Sequence, residues 1–305
     1  MSELRVAVGP SRVESVERAI REGGGQPVNA DEPAVGLVWL APDDSDGLRR
    51  AIGATGATWV QLSSAGVEAT AAAGLLSPER TWTCAKGAFA EPVAEHALTL
   101  ALAGLRMLPE RIDARSWGPP GGTSLYDQHV TILGGGGIAA SLLQLLAPFR
   151  VAATVVRRTP EPVPGAARTV PTSGLTDALA DALVVFLALA LTPETDRLIG
   201  APQLAAMRRD SWLVNVGRGR LVDTDALVAA LDSRTIAGAA LDVTDPEPLP
   251  DGHPLWAQPR CIITPHTADT PEMVARPLAR RIQDNVTRFA AGQPLVGVID
   301  PSAGY

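Results

Sequence analysis

Ten short apolar runs, separated by longer stretches with helical patterning, constrain this chain more than any other feature. They fall at 4–8, 34–40, 58–62, 81–84, 130–133, 153–156, 183–189, 212–215, 236–241 and 261–264. Most are apolar at successive positions, not at alternate ones. A strand buried on both faces has that pattern, and such strands belong to parallel sheets covered by helices. Repeated alternation of strand and helix predicts an α/β architecture. Two longer patterns predict helices over 92–108 and 270–291. The first opens on Pro92, suited to a first helical turn, and carries Val93, Ala97, Leu100 and Ala101 at helical spacing. The second opens on Thr270-Pro271-Glu272 and stops before Gly292-Gln293-Pro294. Pro277 inside it predicts a kink or a delayed start.

At 305 residues the chain has room for about two domains. Its apolar content of 46% against 19% charged supplies a large core. The net charge of −7 argues against a nucleic-acid partner. Cys84 and Cys261 match no metal-ligand spacing and read as small buried hydrophobes in a reducing cytoplasm. The N-terminal residues lack a basic start followed by a long apolar run, so no signal peptide is expected. The longest strongly apolar run, 183–191, is about half of what a membrane-spanning helix needs. A soluble, cytoplasmic protein without a membrane partner is expected.

Val130-Thr131-Ile132-Leu133 leads into Gly134-Gly135-Gly136-Gly137, and Ile138-Ala139-Ala140-Ser141-Leu142-Leu143 follows. Strand, glycine turn and amphipathic helix in that order fit G-x-G-x-x-G/A, with Gly134, Gly136 and Ala139 at the marked positions. The chemistry needs a tight turn, then a residue without a side chain so that a pyrophosphate can approach the backbone. A helix N-terminus with free N–H groups must follow. Gly134, Gly136, Gly137 and Ile138 are therefore candidate cofactor contacts. The next strand ends in Arg157-Arg158-Thr159. An NAD enzyme usually places Asp or Glu about 20 residues past the loop, for the ribose 2′-hydroxyl. Arginine stands there instead, and Arg157 or Arg158, with Thr159 beside them, fits the 2′-phosphate of NADP. NADP is the expected cofactor and NAD the second choice.

Three later segments each put polar residues at a predicted strand end: Asn215-Val216-Gly217-Arg218-Gly219, Asp242 with Glu247-Pro248, and Thr264-Pro265-His266. Ligands of open parallel sheets bind at the carboxyl ends of strands, so these segments are expected to converge with the glycine loop. With them go Leu191-Thr192-Pro193-Glu194-Thr195, Ser63-Ser64-Ala65-Gly66-Val67 and Val93-Ala94-Glu95-His96. On these residues the chain resembles, over nearly its whole length, the D-isomer-specific 2-hydroxyacid dehydrogenase family of glyoxylate, hydroxypyruvate and phosphoglycerate enzymes.

The resemblance implies a Rossmann-type doubly wound parallel sheet domain over 95–270. It implies a second, flavodoxin-like α/β substrate domain built from 1–94 and 271–305, a cleft between the two, and a homodimer. It also implies roles. His266 is the acid/base, a task imidazole can perform near neutral pH. Glu247 hydrogen-bonds and orients that imidazole. Arg218 holds the substrate carboxylate and polarises the keto oxygen with a fixed guanidinium fork. The loop Ser64, Ala65 and Gly66 contacts the substrate, with backbone N–H groups of Ala65 and Gly66 on its carboxylate, and Asp242 contacts the nicotinamide carboxamide. The cofactor brings the hydride, the protein brings position and charge, and no metal is implied. The implied reaction is the reversible reduction of a small 2-keto acid, glyoxylate or hydroxypyruvate foremost, to the D-2-hydroxy acid.

Outside this set, His96, His129 and His253 read as structural and Arg220 as a surface residue, while Lys86 is open to a substrate contact. Ala139 replaces the commoner third glycine and Arg208 stands where Lys is usual. The length predicts no added regulatory domain. Two other readings stay open: an NAD(H)-sensing protein like the family's co-repressor branch, and a relative acting on another small anion such as formate or phosphite. Histidine at 266 speaks against a formate enzyme. The acidic balance at first disfavours anionic ligands, but the positive charge that matters is local, at Arg157, Arg158 and Arg218.

Overall fold

In the computed structural model, which describes residues 4–301, all ten apolar runs fall in strands. The strands pair in parallel into two sheets. By packing, the chain divides into two units: residues up to Phe89 with those from Thr270 onward, and Ala90–Asp269.

The outer unit contains β1 (Arg5–Gly9), β2 (Gln26–Asn29), β3 (Gly36–Trp39), β4 (Trp59–Leu62) and β5 (Thr81–Thr83), in the order β2-β1-β3-β4-β5. β3 and β4 are buried at every position; β3 is apolar throughout, and the one polar residue of β4, Gln61, donates to Leu62 O and accepts from Thr83 Oγ1. The late Pro271–Ala290 helix packs on this unit, with the Phe289 ring stacked on Trp59 at 5.4 Å. The chain then closes on β5. Cys84 N–H donates to Gly297 O and Ile299 N–H to Trp82 O, each at 2.9 Å. Pro277 sits inside the helix without delaying its start. It leaves the Met273 carbonyl without an intrahelical donor, but Met273 is 54% exposed, so water can serve.

The inner unit contains β6 (His129–Leu133), β7 (Ala152–Val156), β8 (Arg168–Val170), β9 (Val184–Leu187), β10 (Trp212–Asn215), β11 (Gly238–Leu241) and β12 (Cys261–Ile263). Their order is β12-β11-β10-β9-β6-β7-β8. The chain runs outward from β6 to β8, returns to the other side of β6 and runs outward again to β12. This is a doubly wound sheet whose direction switches between β6 and β9. Sheets of this kind bind their ligands at such a switch point, outside the carboxyl ends of the strands. The Ala90–Leu105 helix buries Val93, Ala97, Leu100 and Ala101, the stripe its spacing predicts. At Gly104 a Cβ would stand 2.4 Å from the Trp212 ring of β10, so only glycine permits so close an approach. The helix ends three residues before the expected Leu108, and Met107 then takes a left-handed φ of 55°.

β2 and β8 are absent from the sequence reading. Both are edge strands, of four and three residues, carrying Gln26, Pro27 and Asn29 or Arg168 and Thr169. An edge is covered on one side only, so it needs no continuous apolar run and tolerates proline. Among the described residues no helix is long and apolar enough to cross a membrane. Nor does any group of three or more His, Cys, Asp or Glu there form a metal site.

Candidate active site

The glycine turn leaves β6 at the switch point. Gly134 takes φ +106° and its N–H donates to Val156 O of β7 at 2.8 Å. A Cβ here would lie 2.4 Å from Ala188 O, just past β9, so the turn requires glycine twice over, for conformation and for space. Gly136 differs: a Cβ built on it meets nothing within 4 Å. Gly136 is the N-cap of the Gly137–Leu146 helix, which has no side-chain cap. The first-turn N–H groups of Gly137, Ile138 and Ala139 therefore face the open space beside Gly136. A pyrophosphate fits that arrangement, with backbone donors and the positive end of the helix aimed at it. Ala139 is fully buried.

β7 carries Arg157 and Arg158 to the same end of the sheet. Arg157 lies along the turn, its Cδ 3.0 Å from where a Gly135 Cβ would be, and pairs with Glu161 at 3.6 Å. Arg158 and Thr159 are exposed. Past β9, Leu191–Thr195 folds on itself: Thr192 N–H donates to Thr195 Oγ1 at 2.7 Å and Thr192 Oγ1 to Glu194 at 2.8 Å. The Thr192 bond holds the Glu194 carboxyl below the usual range, with Arg158 adding to the effect.

Past β10, the fully buried Asn215 builds the turn that presents Arg218. Its Nδ2 donates to Arg218 O at 2.9 Å, and its Oδ1 accepts from Gly217 N–H at 3.0 Å. Arg218 is half-buried, with Nη1 donating to Gly217 O at 2.8 Å. At Gly219 a Cβ would fall 1.8 Å from Thr244 O. The Arg218 turn thus lies directly on the loop that carries Glu247. Arg220 is exposed and pairs with Asp196, in keeping with a surface residue.

Past β11 and β12 stand the remaining groups. His266 Nδ1 is 2.6 Å from Glu247 Oε1. His266 has φ 50°, a left-handed conformation that is uncommon for a residue with a side chain. Asp242 is 2% exposed. Its Oδ1 accepts from Thr264 Oγ1 at 2.6 Å and Thr267 N–H at 2.9 Å, its Oδ2 from Ala268 N–H at 3.1 Å. His96 Nε2, from the Ala90–Leu105 helix, stands 3.3 Å from Asp242 Oδ1. Burial alone would push the Asp242 carboxyl up; the bonds from His96, Thr264, Thr267 and Ala268 outweigh it and bring it to about 2.

The inner unit therefore gathers Gly134, Gly136, Gly137, Ile138, Arg157, Arg158, Arg218, Asp242, Glu247 and His266 at strand carboxyl ends of one sheet. Ser64, Ala65 and Gly66 belong to the outer unit, just past β4. Ser64 Oγ donates to Gly66 O at 2.6 Å and Ala65 is exposed. Sequence reading missed two residues here. One is His96, read as structural, which touches Asp242. The other is Asp269, whose carboxyl is raised by burial and, to a smaller extent, by Asp242, against the lowering pull of His266 and Arg218. Its place three residues after His266 was the available signal.

The family model described as "D-isomer specific 2-hydroxyacid dehydrogenase, NAD binding domain" matches residues 97–268. A protein of Corynebacterium melassecola, described only as uncharacterized and encoded in the proB 3′ region, is 41% identical over 253 residues, 81% of this chain and 83% of that protein. The human glyoxylate reductase/hydroxypyruvate reductase is 31% identical over 214 residues, 67% of this chain and 65% of that protein. The crystal structure of a D-isomer specific 2-hydroxyacid dehydrogenase from Xanthobacter autotrophicus Py2, in complex with NADPH and MES, is 28% identical. It superposes with a TM-score of 0.82, covering 100% of both chains.

Proposed function

Because the chain belongs to the D-isomer-specific 2-hydroxyacid dehydrogenase family, and is an NAD(P)-dependent oxidoreductase of the CH–OH group, we propose that it reduces glyoxylate or hydroxypyruvate to the D-2-hydroxy acid, with NADPH preferred. The observation that carries this reading is the 2.6 Å contact between His266 Nδ1 and Glu247 Oε1, on a loop that lies against the Arg218 turn. With Nδ1–H donated to Glu247, the imidazole is fixed in orientation and Nε2 is the atom left to exchange a proton with substrate. In the reducing direction His266 Nε2 gives its proton to the keto oxygen; in the reverse direction it takes the hydroxyl proton. Arg218 binds the substrate carboxylate through its planar fork and draws electron density toward the keto oxygen. When bound, a nicotinamide cofactor would supply or accept the hydride.

The N–H groups of Gly137 and Ile138, beside Gly134 and Gly136, hold the pyrophosphate. Arg157 and Arg158, with Thr159, would take the 2′-phosphate, Arg157 exchanging its pair with Glu161 for it. Asp242 Oδ2, which accepts from Ala268 N–H, has capacity for one more donor and takes the carboxamide N–H. Ser64, Ala65 and Gly66 supply substrate contacts from the outer unit. The human relative's name supports the substrate, and the NADPH bound to the Xanthobacter enzyme supports the cofactor.

A second copy of the chain covers the surface where Trp117 is 98% and Ile112 75% exposed. A groove of about 920 Å³ runs there, lined by Leu102, Arg106, Leu108 and Trp117 among others. The two free cysteines fit a reducing cytoplasm. A panel of 2-keto acids tests the reading by following NADPH and NADH consumption. Turnover of glyoxylate or hydroxypyruvate, faster with NADPH, is expected. Tight cofactor binding with no turnover of any keto acid would replace the enzyme with an NAD(H)-sensing protein.

A further inference from the structure

The segment that carries His266 is held by one residue. Asp242 accepts side-chain and backbone bonds from Thr264, Thr267 and Ala268, and its backbone carbonyl accepts His266 N–H at 2.9 Å. These bonds enclose a histidine at φ 50°. Such a backbone state is sparsely populated and persists only where its surroundings over-determine it.

His96 closes this arrangement from a separate element. Its Nε2 lies 3.1 Å from Thr264 Oγ1 and 3.3 Å from Asp242 Oδ1. The hydroxyl proton of Thr264 points to Asp242, so Thr264 can only accept from the imidazole. His96 Nε2 therefore carries hydrogen and shares it between the two oxygens. Without that hydrogen a carboxylate that is 2% exposed loses a donor, and Thr264 loses the contact that fixes its rotamer.

We propose that His96 is a positioning residue, which acts through Asp242 and Thr264 to keep the 264–268 segment, and with it the His266 imidazole, in the geometry that meets Glu247. His96 itself touches neither substrate nor the reacting atoms. The inference rests on the acid/base role of His266 proposed above.

Three variants test it: His96→Ala, His96→Gln and His266→Ala. A glutamine amide reaches about as far as imidazole Nε2 and also donates. His96→Ala is expected to lower kcat by about 10–100-fold, the usual size of a small misplacement of a reacting group. The KM for NADPH should stay within about twofold, and His96→Gln should recover kcat to within about threefold. In ¹⁵N spectra of the cofactor-free protein, the His266 imidazole resonances should move in His96→Ala while those of His129 and His253 stay in place. A folded His96→Ala with kcat within about twofold of the parent would overturn the proposal, as would unmoved His266 resonances or a His96→Gln no better than His96→Ala. His266→Ala separates the two ideas: if it turns over normally, the acid/base reading fails, whatever the spectra of His96→Ala show.

Discussion

At the residue scale the proposed reaction divides the work between His266 and Arg218, one handling the proton and the other the anion. His266→Ala should lower kcat about 10²–10⁴-fold, the range typical of a lost acid/base, with cofactor affinity retained. Steady-state kinetics alongside a cofactor titration checks both halves. Arg218→Lys should lower kcat/KM by more than about tenfold, since a point charge cannot reproduce a bidentate fork. Parent-like kcat/KM in that variant would remove Arg218 from the site. Burial pushes the Cys261 thiol up to about 12 and the Cys84 thiol up as well. Neither should react with a thiol reagent at pH 8 until the protein is denatured, whereas rapid labelling of the native protein would contradict that environment. The residues legible in the sequence were those whose type and motif already spoke for chemistry. His96 was not among them, because its partner Thr264 stands 168 positions away. Asp269 was not, because its perturbation comes from burial and neighbours, which no local pattern encodes.

The glycine turn makes a sharper claim at the scale of the element, because its two glycines serve different ends. Gly134 answers to the fold, and in the proposed function Gly136 answers to the ligand. Gly134→Ala puts a Cβ against Ala188 O in a left-handed backbone, so a loss of thermal stability worth about 1–3 kcal/mol is expected. Gly136→Ala fills open space, so the melting temperature should hold while NADPH affinity, read by fluorescence titration, falls at least about tenfold. Equal effects of the two on stability would contradict this division. Ten strands could be read from the sequence because each lies in a run rich in apolar residues, even β5 and β12 at the sheet edges. β2 and β8 could not, since an edge strand as polar as Gln26–Asn29 or Arg168–Val170 looks like a loop. The glycines at 217 and 219 were legible as a motif, but their reason was not. Gly219 exists for a crossing of two loops 25 residues apart, at Thr244 O.

Surface and stability are properties of the whole molecule. If the proposed dimer forms through that surface, Ile112→Glu with Trp117→Glu should convert it into a monomer in light scattering at micromolar concentration, with the inner unit still folded. An unchanged mass would assign that surface to something other than a second copy. Acid stability has a defined contributor in Asp242, whose carboxyl falls from the ordinary 3.8 to about 2 on folding. A lowered folded value favours the ionised form, so the contribution is fully present above about pH 4 and is lost as the pH falls toward 2. It is worth on the order of 2 kcal/mol. The stability gap between the parent and Asp242→Asn, measured by urea unfolding, should narrow across that window and be constant above it. The outer unit, finally, takes its first strands from the start of the chain and its closing contacts, at Phe289, Gly297 and Ile299, from far along it. A ribosome adds about 5–20 residues per second. The inner unit therefore has every strand it needs by Asp269, while β1 to β5 wait with β5 uncovered until the Pro271–Ala290 helix and the 297–299 segment emerge. The nascent chain therefore carries a finished nucleotide-binding unit before the other unit is complete, and the uncovered β5 is most vulnerable during that interval.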